Sequence, residues 1–165
     1  MKSVFIAAFV GISSPDLIKR LASVTHEKGG KWLVSKVHYL DAHISAVIKI
    51  EMPAEHKKTV QDYFSSQENL LVTFTDSLET IVESQHTQLK VDAEDRAGIV
   101  NDISNILQKE SVELVDMNSH RIGIPANGSS VFTATLSLKL PLSANVNDLA
   151  AEIEALSDDM VVTVI

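Results

Sequence analysis

Asp95, Arg96, Ala97, Gly98, Ile99 and Val100 form the stretch of this chain whose residue types most clearly suggest chemistry. They stand where an apolar strand gives way to a helix with apolar positions at Ile99, Val100, Ile103 and Ile106. An acidic side chain just before a helix can accept hydrogen bonds from its first free backbone N–H groups. A glycine there has no Cβ, so another molecule can come close to the backbone. A helix N-terminus with free N–H groups also holds carboxylates. The chemistry on offer is recognition. An amino acid could set its carboxylate on the N–H groups and its ammonium near Asp95. Capping by Asp95 and packing of Gly98 against a sheet explain the same residues without a ligand.

Other chemistry finds little support. The chain has no cysteine, which removes disulfides, thiol nucleophiles and thiolate metal sites and fits a reducing compartment. His26, His38, His43, His56, His86 and His120 include no pair at the H-x-x-x-H spacing of a helical metal site. His38 and His120 occupy equivalent places in the repeat described below, but two histidines without a third ligand make a poor metal site. No nucleophile elbow, P-loop or dinucleotide fingerprint is present. We therefore expect no catalytic residues, no metal and no cofactor.

The elements that must position this loop occur twice. Leu17, Ile18, Leu21 and Val24 repeat the helical stripe of Ile99, Val100, Ile103 and Ile106 at an offset of 82. Phe9 then matches Val91, and His38 matches His120. Ile44, Ala46, Ile48, Ile50 and Met52 alternate with less apolar residues, as do Phe132, Ala134, Leu136, Leu138 and Leu140. These strands end at Pro53 and Pro141, an offset of 88. The six-residue difference predicts a longer hairpin loop at 123–128, dense in turn residues. Second helices follow at Val60, Tyr63 and Phe64, and at Val146, Leu149, Ala150, Ile153 and Leu156. Short strands close each half at Leu70–Thr75 and Met160–Ile165.

Each half therefore reads β-α-β-β-α-β, a split unit with an antiparallel sheet and both helices on one face. The fold class is α+β, with unit 1 at 1–75, a connector at 76–86 and unit 2 at 87–165. The apolar run Val4–Val10 predicts a first strand covered on both sides. The first loop differs from the second. Ser14 suits an N-cap and Pro15 the first helical position. Asp16 stands where Gly98 stands, and its charge would repel a ligand carboxylate. Any anionic ligand is thus expected at the second loop.

Length and charge limit the rest. The chain has 165 residues, 45% of them apolar, enough for a folded core. Its 22 acidic and 14 basic residues give a net charge of −8, which argues against direct nucleic-acid binding. Met1-Lys2-Ser3 followed by the apolar run to Ile12 outlines a signal peptide, but the run is short and lacks a clean small-x-small cleavage site. It reads as a buried strand, and nothing else approaches membrane-spanning length. The expected location is cytoplasmic.

Two βαββαβ units with D-R-x-G-I-V opening one helix resemble tandem ACT domains, small-molecule regulatory modules that often sense amino acids. The layout resembles the glycine cleavage system transcriptional repressor family, two ACT units without a DNA-binding domain. The resemblance implies a ligand between the strand-to-helix loop of one unit and the second strand of a neighbour. Here that means Asp95, Arg96, Ala97, Gly98 and Ile99, with Asp116, Met117 and Asn118 on the strand. Ser13, Ser14 and Asp16 depart from the pattern, so unit 1 is expected to carry a degenerate loop. The implied function is amino-acid sensing, with glycine among the candidate ligands, transmitted to a protein partner such as a transcription activator. A homodimer is compatible with the fold. A ligand-independent interaction module is the alternative. A remote one is an acylphosphatase-like enzyme using Arg96 and Asn118, although the phosphate loop of that family is missing. RNA-recognition modules share the unit, but Phe5, Phe9 and Phe132 alternate as core residues.

Overall fold

The computed structural model describes residues 1–79 and 81–165. The chain folds as two units, unit 1 at Met1–Thr80 and unit 2 at Ile81–Ile165. Unit 1 runs β1 (Lys2–Ile12), α1 (Leu17–Glu27), β2 (Lys31–Leu40), β3 (His43–Pro53), a 3-10 turn (Ala54–His56), α2 (Lys57–Ser65) and β4 (Leu70–Asp76). Unit 2 runs β5 (Ser84–Glu94), α3 (Ile99–Lys109), β6 (Glu113–Ile124), β7 (Ser129–Pro141), α4 (Val146–Glu154) and β8 (Val161–Val164). The sheets have strand orders β2-β3-β1-β4 and β6-β7-β5-β8, antiparallel throughout.

The repeat offsets reappear as strand register. Phe9 pairs with Ala46 and Val91 with Ala134. Adding 82 to the β1 member and 88 to the β3 member converts the first pair into the second. The register sends one face of each sheet against its helices. In unit 1, Phe5, Ala7 and Phe9 meet Leu17 and Leu21 of α1 and Val60 and Phe64 of α2. Phe74 adds an edge contact to Phe5 with centroids 6.0 Å apart. In unit 2, Leu89, Val91 and Ala93 meet Ile99, Ile103, Leu149 and Ile153. Each large side chain buried this way contributes about 1.5–3 kcal/mol relative to exposure.

Four expectations change. The Val4–Val10 run is not covered on both sides. Phe5 and Ala7 are fully buried and Phe9 nearly so, whereas Val10 is 48% exposed, because α1 and α2 lie on one side of the sheet only. The hairpin at 123–128 is shorter than its turn residues suggest, since Gly123 and Ile124 still pair with Ser130 and Ser129. The six extra residues make two further rungs and a longer turn that Gly128 closes with φ of 71°. Ser14 does not cap α1. The helix opens two residues later, at Leu17 rather than Pro15, with Asp16 in the N-cap position and no side-chain capping bond. Strand β5 begins at Ser84, inside the segment 76–86 read as connector, and Thr80 of that segment lies outside the described residues.

One close approach holds the loop end of unit 1. The Ile12 N–H donates to the Asn69 carbonyl at 3.1 Å. A Cβ built on Gly11 would stand 1.9 Å from that same oxygen. Backbone must then shift, because neither partner is a flexible side chain. Gly11→Ala should therefore destabilise unit 1 by about 3 kcal/mol, read as a lower urea midpoint in Trp32 fluorescence. Gly123→Ala in β6, where a Cβ meets nothing within 4 Å, should leave that midpoint in place. An unchanged midpoint for Gly11→Ala would contradict the contact.

Candidate functional site

The strand-to-helix loop of unit 2 is built around Gly98, whose φ of 81° places it in the left-handed region. Side chains rarely adopt that conformation, so glycine is the residue that turns the chain into α3 here. A Cβ at Gly98 would meet nothing within 4 Å. The glycine thus serves the backbone turn and faces open space, rather than packing against the sheet. The first bond of α3 runs from the Asp102 N–H to the Gly98 carbonyl at 2.9 Å. The N–H groups of Ile99, Val100 and Asn101 are left without intrahelical acceptors. Ala97 and Gly98 are exposed, while Ile99 is buried as the anchor of the helix.

Asp95 does not cap α3. Its carboxylate accepts from Arg121 Nε at 2.8 Å and from the Ser130 hydroxyl at 2.9 Å. Its own N–H donates to the Ser130 carbonyl at 2.9 Å. Partial withdrawal from water opposes its ionisation, but the Ser130 hydroxyl, the Arg121 guanidinium and the Arg96 backbone N–H outweigh that and hold its pKa below the ordinary value. Arg121 lies 5.5 Å from the centre of the Phe132 ring. It binds Asp95 through Nε, and its terminal nitrogens carry further donors. Arg96 turns toward the helix, with a nitrogen 2.8 Å from Asp102 Oδ2.

The second group of expected residues stands apart within this unit. Asp116 and Asn118 pair with Ser137 and Thr135, which puts them on the sheet face away from the helices. Met117 pairs with Leu136 and shares the helix side with Arg121. Four residues of strand separate Met117 from Arg121, roughly 13 Å. Arg121 and Ser130 therefore complete the loop, and neither was expected. The offset of 82 matches Arg121 to Tyr39 of unit 1, where no charge marks the place. Ser130 matches Ala42 at the offset of 88, and both carbonyls accept the N–H of the loop residue after the first strand. The cue for Ser130 was the offset itself, which places a hydroxyl where unit 1 has Ala42.

The matching loop of unit 1 has a different charge plan. Asp16, with φ of −107°, needs no glycine. Arg20 pairs with Asp16, lowers its pKa by that hydrogen bond, and also donates to Gln67 at 3.1 Å. Ser13, Ser14, Arg20, Gln67 and Asn69 help to line a cleft of about 430 Å³. The Asp16 charge expected to repel a carboxylate is therefore compensated. Among the described residues no group of three or more His, Asp or Glu side chains could hold a metal, and no helix is long and apolar enough to cross a membrane.

No family model matches the sequence, and no curated protein matches it. Solved structures do. An unknown protein from Galdieria sulphuraria superposes with a TM-score of 0.86 at 14% identity, over 99% of this chain and 98% of that one. A structure provisionally described as a glycine cleavage system transcriptional repressor superposes with a TM-score of 0.74 at 13% identity, over 100% of this chain and 98% of that one. The chain shares with these structures a fold of two four-stranded βαββαβ units. Identities this low speak to the fold alone, and that likeness spans the whole chain.

The Asp95 contacts make a pH prediction. A carboxyl held below its unfolded value contributes stability that is present above the unfolded value and lost as pH falls through the folded one. Arg121→Gln should move the Asp95 pKa back toward the ordinary range, followed by carboxyl-carbon NMR titration. The acid limb of the stability curve should flatten with it. A titration that does not move would mean Arg121 is not what holds Asp95 ionised.

Proposed function

We propose that the chain is an amino-acid-sensing regulatory protein whose ligand binds at the strand-to-helix loop of unit 2. The supporting observation is Gly98, left-handed and facing open space at the start of α3. A ligand carboxylate fits the N–H groups of Ile99 and Val100, where the helix dipole favours negative charge. Arg121 adds charge-assisted donors, and Asp95 positions it. Arg96 neutralises Asp102 in the first turn, so that acid does not oppose the ligand. Asp116, Met117 and Asn118 belong to this site only through a neighbouring copy of the chain, as the ACT resemblance implies. Ligand binding then shifts the balance between states that a protein partner distinguishes. The reading is regulatory rather than enzymatic. Its finer form is control of a glycine cleavage operon through a transcription activator that supplies the DNA contact. The overlap in fold with a structure described as such a repressor supports that form.

The cleft of unit 1 favours a second reading, in which Arg20 with the Ser13 and Ser14 hydroxyls receives the carboxylate. Thermal unfolding against each of the twenty amino acids tests both. A ligand that binds only the native state raises the melting temperature with concentration. Glycine or another amino acid should raise it at millimolar concentration, and Gly98→Val should abolish the rise. Loss of the rise in Arg20→Ala, with Gly98→Val unaffected, would move the ligand to unit 1. No rise with any amino acid would leave a ligand-independent interaction module.

A further inference from the structure

The two sheets share register, yet their open faces differ. In unit 2 the positions matching Ala8, Val10 and Val47 are Lys90, Asp92 and Thr135. That face satisfies itself. Lys90 Nζ lies 2.8 Å from Asp92 Oδ2, the Thr133 hydroxyl donates to Asp92 at 2.6 Å, and Gln88 donates to Ser137 at 3.1 Å. In unit 1 the face exposes Val10, Val47 and Leu71, which are 48%, 51% and 77% accessible. Together with Ala8 they line a hollow of about 340 Å³. The pairing register adds Lys2, Lys31, Lys36 and Lys49 to this face, against Glu51 on the strands. Lys2 and Lys31 share Glu51, and Lys49 meets Glu79 from beyond β4. An apolar, basic face thus stands on a chain whose net charge is −8.

We propose that the open sheet face of unit 1 docks an acidic amphipathic helix of a partner protein. This rests on the reading above that the chain acts through a protein partner. A sheet with apolar residues on both faces is complete only when each is covered by another layer. The helices α1 and α2 cover one. Four strands spaced about 4.8 Å apart offer a bed for a helix about 10 Å across. One leucine-sized anchor fills the hollow between Val10, Val47 and Leu71. Glutamates on the flank of the same helix meet the end of the face where Lys2 and Lys31 have a single glutamate, Glu51, between them. A second copy of this chain would instead bring two faces with an excess of lysine over glutamate into one desolvated seam, which like charges disfavour. RNA reads such sheets by stacking bases on aromatics, whereas β1 and β3 present Ile6, Ala8, Val10 and Val47 here.

The test uses the full chain and a fluorescein-labelled synthetic helix of about 18 residues, long enough to be helical in isolation. It is built from alanine and glutamate, with leucines on one face. A counterpart carries lysine in place of glutamate. The acidic helix should bind saturably, and more weakly at high salt. It should lose about tenfold or more in Ala8→Lys/Val10→Asp/Val47→Thr. Those are the residues that the unit 2 sheet already holds at the matching positions. Circular dichroism and Trp32 fluorescence check the fold, and Val47→Thr alone serves if the triple variant fails to fold. The proposal is overturned by any of several results: no binding of the acidic helix, equal binding of the lysine helix, or equal binding by the folded variant. A dimer in sedimentation that the variant abolishes would assign the face to a second copy. Preferential binding of anionic phospholipid vesicles or of a single-stranded RNA would assign it to those classes instead. The amino-acid melting response reads Gly98 and not this face. An intact response with no helix binding removes the docking surface alone, and the reverse removes the sensor alone.

Discussion

Pairing of each central strand with its neighbour, β1 with β3 and β5 with β7, is the constraint from which the rest follows. Each pair runs eleven rungs without a slip, from Lys2↔Pro53 to Ile12↔His43 and from Ser84↔Pro141 to Glu94↔Val131. A shift of one residue would exchange the faces of every side chain on the strand that moved. Were β1 the strand that slipped, Phe5 and Phe9 would turn to solvent and Ile6 and Ala8 to the helices. The apolar stripes of α1 and α2 have only one partner face, so the register and the helix packing specify each other. The edge strands tolerate more. Both β2 and β6 carry a register shift near their first residues, between Trp32 and Val34 and between Leu114 and Asp116.

On that shared frame the two loops have diverged by small local means. Gly98 permits a left-handed turn, and Asp16 lets the matching loop enter its helix with an ordinary backbone. The signs of the charges are exchanged as well. Arg20 in the first turns of α1 matches Asp102 of α3, and each finds its opposite nearby, Asp16 in one case and Arg96 in the other. Ser130 stands where unit 1 has Ala42, and its hydroxyl donates to Asp95, which in turn holds Arg121. Two side-chain changes at matched hairpin positions, Tyr39 against Arg121 and Ala42 against Ser130, have thus changed the electrostatics of a helix start more than twenty residues away in sequence, through one carboxylate with two donors.

How far the sequence carries depends on the range of the interaction. Periodicity identified the strands ending at Pro53 and Pro141 and the stripes at Leu17 and Ile99, because alternation and helical spacing are written in neighbouring residues. The repeat offsets even anticipated the register. Three features escaped. The single-sided cover of β1 was hidden because Ile6, Ala8 and Val10 are apolar without being core, so composition read as burial. The role of Asp95 was misjudged because a cap is a local interaction, whereas Arg121 and Ser130 reach it only through the hairpin. The pairing of Asp16 with Arg20 was visible at helical spacing, yet its effect on a ligand depends on the cleft that Gln67 and Asn69 close from another loop.

Net charge is the other quantity whose scale matters. A value of −8 describes the field felt far from the molecule, where it opposes approach to a polyanion. Within a Debye length, about 8 Å at physiological salt, the local arrangement dominates instead. There the open face of unit 1 is basic, and its cations surround aliphatic side chains rather than aromatic rings. The unit 2 sheet shows that this backbone can carry a fully polar outer face, with Asp92 bonded to both Lys90 and Thr133. Solubility would favour the same solution on unit 1. Val10, Val47 and Leu71 stand in its place, and their exposure has a cost in water that burial against a partner would remove. The acidic total and the basic face then act together: the first keeps polyanions away at a distance, and the second selects, at contact, acidic partners that also bring an apolar side chain.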